Sequence, residues 1–338
     1  MQRSGADGDG PQPLLSVREL GVSFRTRQGW LDVTQGVSFD VAAGERVGIV
    51  GESGCGKSVT GLALLGLLPP ATSRVKGSIR LDGRELCGLP QRQLRDVRGA
   101  QMAMVFQEPM SALDPVFTVG EQIAEAVRAH FPVGAREARE MAVESLARVG
   151  IPLPARRCDE YPHQLSGGMR QRAMIAIALA CKPRLLVADE PTTALDVTVQ
   201  AQILDVLMRL SQESGTALLF ITHDLGVVAE TCQRVITMYA GQVVEDAPAD
   251  EVLLRPAHPY TSGLMRSLPR LNRRKQPLPS IPGRVPQVTE LPPGCRFEPR
   301  CPHAMAGCNE EQRLLSAAAA RRVRCWRHEQ LRLPGTVA

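Results

Sequence analysis

The sequence predicts an α/β fold built on a parallel sheet, with a smaller Pro- and Cys-rich unit appended. Three observations predict it. One is a phosphate-binding loop, Gly51-Glu52-Ser53-Gly54-Cys55-Gly56-Lys57-Ser58, set between the apolar stretch Glu45 to Val50 and a helical stretch from Lys57 to Leu68. The second is a further strand-and-helix succession, Leu185 to Ala188, Val199 to Ser211 and Ala217 to Thr222, which calls for parallel strands. The third is a change of composition beyond Pro248, where proline becomes frequent and periodicity fades. The expected division is a tail over 1–13, one domain over 14–255 and a C-terminal extension over 256–338.

The chain has 338 residues, 43% of them apolar and 22% charged, which is ordinary globular composition. Its net charge of +5 comes without a block of like charges, so nucleic acid is not an expected partner. No apolar run reaches the ~18 residues that span a bilayer. Met1 to Pro13 lacks the basic start and apolar core of a signal peptide, so the expectation is a cytosolic chain, soluble in itself.

Taken in order, Leu14 to Phe24 and Gly36 to Val41 alternate like half-exposed antiparallel strands, turning over Arg25 to Trp30. Phe24 suits stacking on an adenine ring; a core phenylalanine fits the periodicity equally. In the loop, glycines let backbone N–H groups close on phosphate oxygens, and the new helix points its positive end at the same anion. Lys57 then reaches the β- and γ-phosphates, and Ser58 offers a hydroxyl to Mg²⁺. Ser78 to Leu81 with Asp82-Gly83 reads as a hairpin end, and Met102 to Phe106 as a buried strand ending on Gln107-Glu108. Val119 to Gly150 is helical in pattern.

Leu185 to Ala188 runs into Asp189-Glu190, one carboxylate for Mg²⁺ and the next for polarising water; a helix N-cap pair is the bland alternative. Ala217 to Thr222 runs into His223. Gln107, Asp189, Glu190 and His223 thus stand at strand C-terminal ends, the rim where open α/β sheets bind ligands. Ser166-Gly167-Gly168 opens another helix and makes a second anion-holding start.

Leu165 to Arg172 resembles the signature motif of ABC ATPases. Gly51–Ser58, Gln107, Asp189-Glu190, Ala194-Leu195-Asp196 and His223 stand in the order of that family's Walker A, Q-loop, Walker B, D-loop and switch histidine. The resemblance covers Leu14 to Ala247. It implies a RecA-like core with an antiparallel β-subdomain and a helical subdomain, and a head-to-tail dimer holding two ATP molecules. Its nucleotide-contacting positions are Phe24, Gly51, Ser53, Gly54, Cys55, Gly56, Lys57, Ser58 and Val59, with Gln107 and Asp189. Ser166, Gly168 and Asp196 come from the partner. Glu190 is implied as general base, with His223, Gln107 and Lys57 completing the catalytic set, and Ser58, Gln107 and Asp189 hold Mg²⁺.

Phe106 to Pro115, Ala257 to Thr261 and Leu291 to Pro302 are similar to the peptide-importer branch. They imply the ATPase subunit of a bacterial dipeptide or oligopeptide importer, peripheral on the cytoplasmic face of the inner membrane. Its partners would be a second ATPase subunit, two permeases and, through the complex, an extracytoplasmic solute-binding protein. The same branch includes nickel and other solute systems. A soluble ABC ATPase acting on nucleic acid or ribosomes would need a second P-loop or a long insertion, and neither is present.

Nine cysteines are present. Cys295, Cys301, Cys308 and Cys325, separated by five, six and sixteen residues, suffice for tetrahedral Zn²⁺ or an iron–sulfur cluster, and the spacing fits free thiols as well. His303 and His328 are substitute ligands or plain surface residues. The resemblance favours a [4Fe–4S] cluster. Every phosphate-facing residue is expected before Pro248.

Overall fold

The computed structural model describes residues 12–193, 195–267 and 280–336. Most of the expected N-terminal tail lies outside them, as do Ala194, Pro269, Pro277 and Pro279.

Strands β1 (Leu15–Thr26) and β2 (Gly29–Val41) form the first hairpin. They run further than their alternation indicates: Arg25 pairs with Trp30, so the turn shrinks to Arg27 and Gln28. β3 (Arg46–Val50) leads through the loop into α1 (Lys57–Leu64). This helix was expected to reach Leu68. It stops four residues earlier because Gly66, at φ +62°, takes the left-handed position that ends helices. β4 (Ser73–Leu81) turns at Asp82-Gly83 into β5 (Arg84–Glu85), completing an antiparallel sheet of order β2-β1-β4-β5.

Next come α2 (Gln91–Val97), β6 (Met102–Val105) and α3 (Pro109–Ala112). The helical pattern from Val119 to Gly150 resolves into α4 (Val119–His130) and α5 (Ala135–Arg148). Pro132 divides them by biasing Phe131 to extended backbone, φ −121° and ψ 139°. Thr118 and Glu121 close a capping box at the start of α4, satisfying two N–H groups that the helix itself cannot pair. α6 (Pro154–Arg157) precedes α7 (Gly167–Leu179), which Ser166 caps. The chain continues through β7 (Leu185–Asp189), α8 (Val197–Ser214), β8 (Ala217–Thr222), α9 (Leu225–Thr231), β9 (Arg234–Tyr239) and β10 (Gln242–Pro248). It ends with α10 (Ala249–Leu254), α11 (Pro259–Arg266), β11 (Leu315–Ala318) and β12 (Arg321–Val323).

The second sheet has the order β11-β12-β10-β9-β3-β8-β7-β6, and β9 through β6 are parallel. β6, β7 and β8 are buried throughout, which is why they read as continuous apolar runs. Alternate residues enter two cores. Leu186, Ala188, Leu218 and Phe220 face the helices α4, α5, α7 and α8. Leu185, Val187, Leu219 and Ile221 face α1 and the first sheet. Register then fixes the rim: Val50 lies opposite Thr222, and Ala188 opposite both Phe220 and Val105. Whatever follows those strands arrives together.

The C-terminal segment does not stand apart from this sheet. β12 pairs with β10, Glu245 opposite Val323 and Asp246 opposite Arg322. A third, small core joins Tyr239, Tyr260 and Phe297. Glu245 is fully buried, and its carboxylate accepts the N–H groups of Ala257 (2.8 Å) and His258 (2.9 Å).

His258 caps α11, its Nδ1 accepting the Tyr260 N–H at 3.1 Å, and burial pushes its pKa from 6.5 down to about 3. The unfolded chain therefore binds a proton below about pH 6.5 that the folded chain refuses, so stability falls as pH is lowered through that window. The urea midpoint is expected to drop between about pH 7 and about pH 5, and to drop less in His258→Asn, which keeps a capping acceptor. Equal pH slopes in the two chains would remove His258 as a cause.

Candidate functional site

The loop after β3 is shaped for close approach. A Cβ on Gly51 would stand 2.2 Å from the Met238 carbonyl oxygen. Gly56, the residue before α1, sits at φ +96°, where a side chain would also press on Thr34. Ser53 and Gly54 are exposed, and Cys55 is buried beneath them. Lys57 is 6% exposed, and its ammonium donates to the Gly51 carbonyl at 2.8 Å and the Glu52 carbonyl at 3.1 Å. The free N–H groups at the start of α1 and this cation make a concave positive site suited to phosphate.

Ser58 donates its hydroxyl to Asp189 Oδ1 at 2.9 Å. Burial pushes the Asp189 carboxyl above its ordinary range; the Ser58 hydroxyl opposes the rise, and the neighbouring Glu190 adds to it. Two hard oxygen donors held side by side fit Mg²⁺, with phosphate oxygens to complete the shell.

Glu190 is the centre of the rim. Gln107 Nε2 donates to its Oε2 at 2.9 Å, the Thr193 hydroxyl donates to the same oxygen at 2.8 Å, and His223 Nδ1 lies 3.0 Å from its Oε1. Burial acts to raise its pKa, but the bonds to His223 and Thr193 outweigh burial and hold it below the usual carboxylate range. It is thus an ionised acceptor at neutral pH. Its backbone is strained, at φ +47°, a conformation costing about 1–3 kcal/mol in a residue with a side chain. The Glu190 N–H donates to the Ile221 carbonyl at 2.7 Å, which holds the strained turn against β8.

Lys57 and Ser58 therefore share one rim with Gln107, Asp189, Glu190 and His223, which the sequence already groups at the strand ends. Ser166, Gly168 and Asp196 have local partners. The Ser166 hydroxyl accepts the Met169 N–H at 3.4 Å, a Cβ on Gly168 would stand 3.0 Å from the Val199 side chain, and Asp196 caps α8 through the Val199 N–H at 2.9 Å. Among the described residues they add no bond to the Glu190 network. Ser166 and Asp196 are exposed and available to a second molecule. Phe24 and Val59 are half-buried and pack against the core beneath the first sheet.

Three residues escaped the sequence reading. Thr193 lies three positions beyond Glu190, a spacing that could have marked it as a local hydroxyl partner. Tyr260 and Arg300 lie in the stretches Ala257 to Thr261 and Leu291 to Pro302, where nothing local points to the loop. They reach the loop from the C-terminal segment: Arg300 forms a two-pronged pair with Glu52, and the Glu52 N–H donates to the Tyr260 hydroxyl at 2.8 Å. These contacts are to the side chain and N–H of Glu52, so they bring the C-terminal segment against the loop without adding a phosphate-facing residue beyond Pro248.

The structure gives no support to the cluster that the resemblance implies for the four late cysteines. Cys295, Cys301, Cys308 and Cys325 are all free and line one cavity with His303 and Phe297. Yet among the described residues no group of three or more His, Cys, Asp or Glu is arranged to hold a metal ion. Burial pushes the Cys295 thiol up to about 11, and those of Cys301 and Cys325 upward too. As placed, the four cysteines do not form a ligand set for an iron–sulfur cluster or zinc.

A family described as ABC transporter matches residues 34–193, and one described as oligopeptide/dipeptide transporter, C-terminal region, matches residues 244–308. A Sinorhizobium fredii protein described as a peptide ABC transporter ATP-binding protein is 54% identical over 325 residues, 94% of this chain and 96% of its own. A Brucella abortus protein described as a peptide import ATP-binding protein is 51% identical over 313 residues, 93% of this chain and 94% of its own. Among solved structures, a dimeric ATP-binding cassette bound to ADP and Pi matches with a TM-score of 0.63 at 27% identity, covering 70% of this chain and 98% of that one. A Clostridium perfringens protein that is part of an ABC transporter complex matches with a TM-score of 0.60 at 27% identity, covering 72% and 91%.

Proposed function

Because this chain belongs to the ATP-binding subunits of ABC peptide transporters, we propose that Glu190 is the general base with which it hydrolyses ATP to drive peptide import. It is an ABC-type ATPase, and it energises import of di- or oligopeptides or a related small solute. The observation that carries the assignment of Glu190 is the joint grip of Gln107, Thr193 and His223 on one ionised carboxylate at the rim. Glu190 takes a proton from the attacking water as the water oxygen bonds to the γ-phosphorus and the bond to ADP breaks.

Lys57 exchanges its bonds to the Gly51 and Glu52 carbonyls for bonds to phosphate oxygens, placing its charge where the leaving group gains its own. Ser58, Asp189 and Gln107 would hold Mg²⁺, which supplies neutralising charge between the phosphates. His223 would sense the γ-phosphate, since the Glu190 contact ties it to the same point. Phe24 would stack on the adenine from its half-buried place on β1.

Ser166, Gly168 and Asp196 act on a second subunit, an identical copy or a paralogue, in a head-to-tail dimer. The exposure of Ser166 and Asp196 and their anchoring apart from the Glu190 network support that role. No helix among the described residues is long and apolar enough to cross a membrane. Membrane association then runs through two permease subunits. They would dock on the segment after Gln107, where Met110, Val116 and Phe117 are 56%, 70% and 49% exposed. A solute-binding protein would deliver cargo from the far side.

The test uses the chain assembled with its permeases and binding protein in vesicles. ATP-dependent uptake of a labelled dipeptide is expected in the native assembly. Ser166→Arg in every subunit able to carry it is expected to abolish ATP-dependent closure, because the added side chain fills the partner's γ-phosphate pocket. Closed, ATP-dependent dimers made purely of Ser166→Arg chains would contradict the composite site. Uptake of nickel in place of any peptide would move the cargo while leaving the ATPase assignment intact.

A further inference from the structure

The second residue of the phosphate loop is tied at every polar group it has. The Glu52 carboxylate receives a two-pronged bond from one guanidinium, Arg300 Nη1 to Oε2 at 2.7 Å and Nη2 to Oε1 at 3.0 Å. Its N–H donates to the Tyr260 hydroxyl at 2.8 Å, and its carbonyl accepts the Lys57 ammonium at 3.1 Å. Two of those three ties come from beyond residue 255.

Both partners from the C-terminal segment, the donor Arg300 and the acceptor Tyr260, are themselves immobilised. The Arg300 side chain is 4% exposed; its Nε donates to the Pro282 carbonyl at 2.8 Å, and its Nη1 reaches the Tyr239 hydroxyl at 3.3 Å. Tyr260 is fully buried, with its ring centroid 4.6 Å from Tyr239 and 5.4 Å from Phe297. A planar fork set in carbonyl oxygens and a phenol wedged between rings have few other conformations to visit. A mere surface anchor for the tail would be exposed and singly bonded, worth little to the residue it touches. This one is enclosed, and it acts on a residue that shares its carbonyl with the catalytic lysine.

We infer that Arg300 and Tyr260 are positioning residues for the phosphate-binding loop. They fix Glu52, and through it the carbonyls that set where the Lys57 ammonium stands, so that the loop meets ATP in a shape imposed by the C-terminal segment. The inference rests on the reading of Gly51–Ser58 as the ATP site and adds a dependence that the loop sequence does not contain.

The test is a Mg–ATP titration of steady-state hydrolysis by the full chain, with melting temperatures measured alongside. Glu52→Gln and Arg300→Lys are each expected to raise KM for ATP about 3- to 10-fold with kcat within about twofold, the pattern of lost ground-state binding. The double variant is expected to be no worse than the worse single one, since both changes break the same clasp. Tyr260→Phe, which keeps the ring packing and removes only the hydroxyl, is expected to raise KM by a smaller factor.

Unmoved KM in Glu52→Gln, or effects that multiply in the double variant, would overturn the inference. If Arg300→Lys melts early, Glu52→Gln decides alone, because it alters the loop side of the clasp and leaves the bonds of Arg300 to the tail in place. Native chain that neither binds nor hydrolyses Mg–ATP would instead overturn the ATPase reading. Native hydrolysis with unmoved KM in the variants removes the clasp only.

Discussion

Glu190→Gln is expected to bind ATP about as tightly as the native chain and to turn it over ~10²-fold or more slowly. The substitution is nearly isosteric. It retains an acceptor oxygen for the Gln107 amide or the Thr193 hydroxyl, and the strained φ of +47° at this position is unchanged in cost. What it removes is the ability to take a proton. In the native chain the hydrogen bonds from His223 and Thr193 hold the carboxyl below its ordinary range, so the base is ready at neutral pH. A neutral amide in the same place leaves the γ-phosphate bound and uncleaved, and a long-lived ATP-bound dimer is expected by light scattering. Single-turnover hydrolysis at near-native rate would remove Glu190 from the role of base, leaving it as an organiser of Gln107 and His223.

Lys57→Ala is expected to act earlier, on binding itself, weakening ATP on the order of 10- to 100-fold, the scale of one charge-assisted bond to phosphate. The lysine is almost wholly enclosed and donates to two loop carbonyls, so its removal also leaves those carbonyls short of a partner. Nucleotide affinity must therefore be read against the melting curve: a loss of affinity at an unchanged melting temperature belongs to the phosphate contact. Native affinity in Lys57→Ala would place the phosphates elsewhere. The two variants separate cleanly, since Glu190→Gln spares binding and Lys57→Ala does not.

Both predictions draw on residues legible in the sequence, and the reason is local. A phosphate loop is a short run whose glycines, lysine and serine must be adjacent, and a buried parallel strand announces itself by four or five apolar residues in a row. Once the strands are known to be parallel, the residues following them must share a rim, and Gln107, Glu190 and His223 could be grouped before any distance was measured. The two-helix division at Pro132 and the early end of α1 at Gly66 were written just as locally and were passed over in favour of longer periodicity. The strands β9 and β10 lie between His223 and the change of composition at Pro248, a stretch to which the sequence reading assigns no element.

Tertiary structure alone decided three things. It decided that Glu190 is ionised, because that depends on which of several polar groups lie within 3 Å of a half-buried carboxylate. It decided that the four late thiols share a cavity without making a ligand set, since spacing counts residues and says nothing of where sulfur atoms point. And it decided that Arg300 holds Glu52, a contact across 248 residues of chain. Motifs record chemistry that neighbours in sequence perform together. A guanidinium arriving from the far end of the chain leaves no trace in either segment, because only the folding of β12 onto β10 and the burial of Phe297 against Tyr239 bring it there.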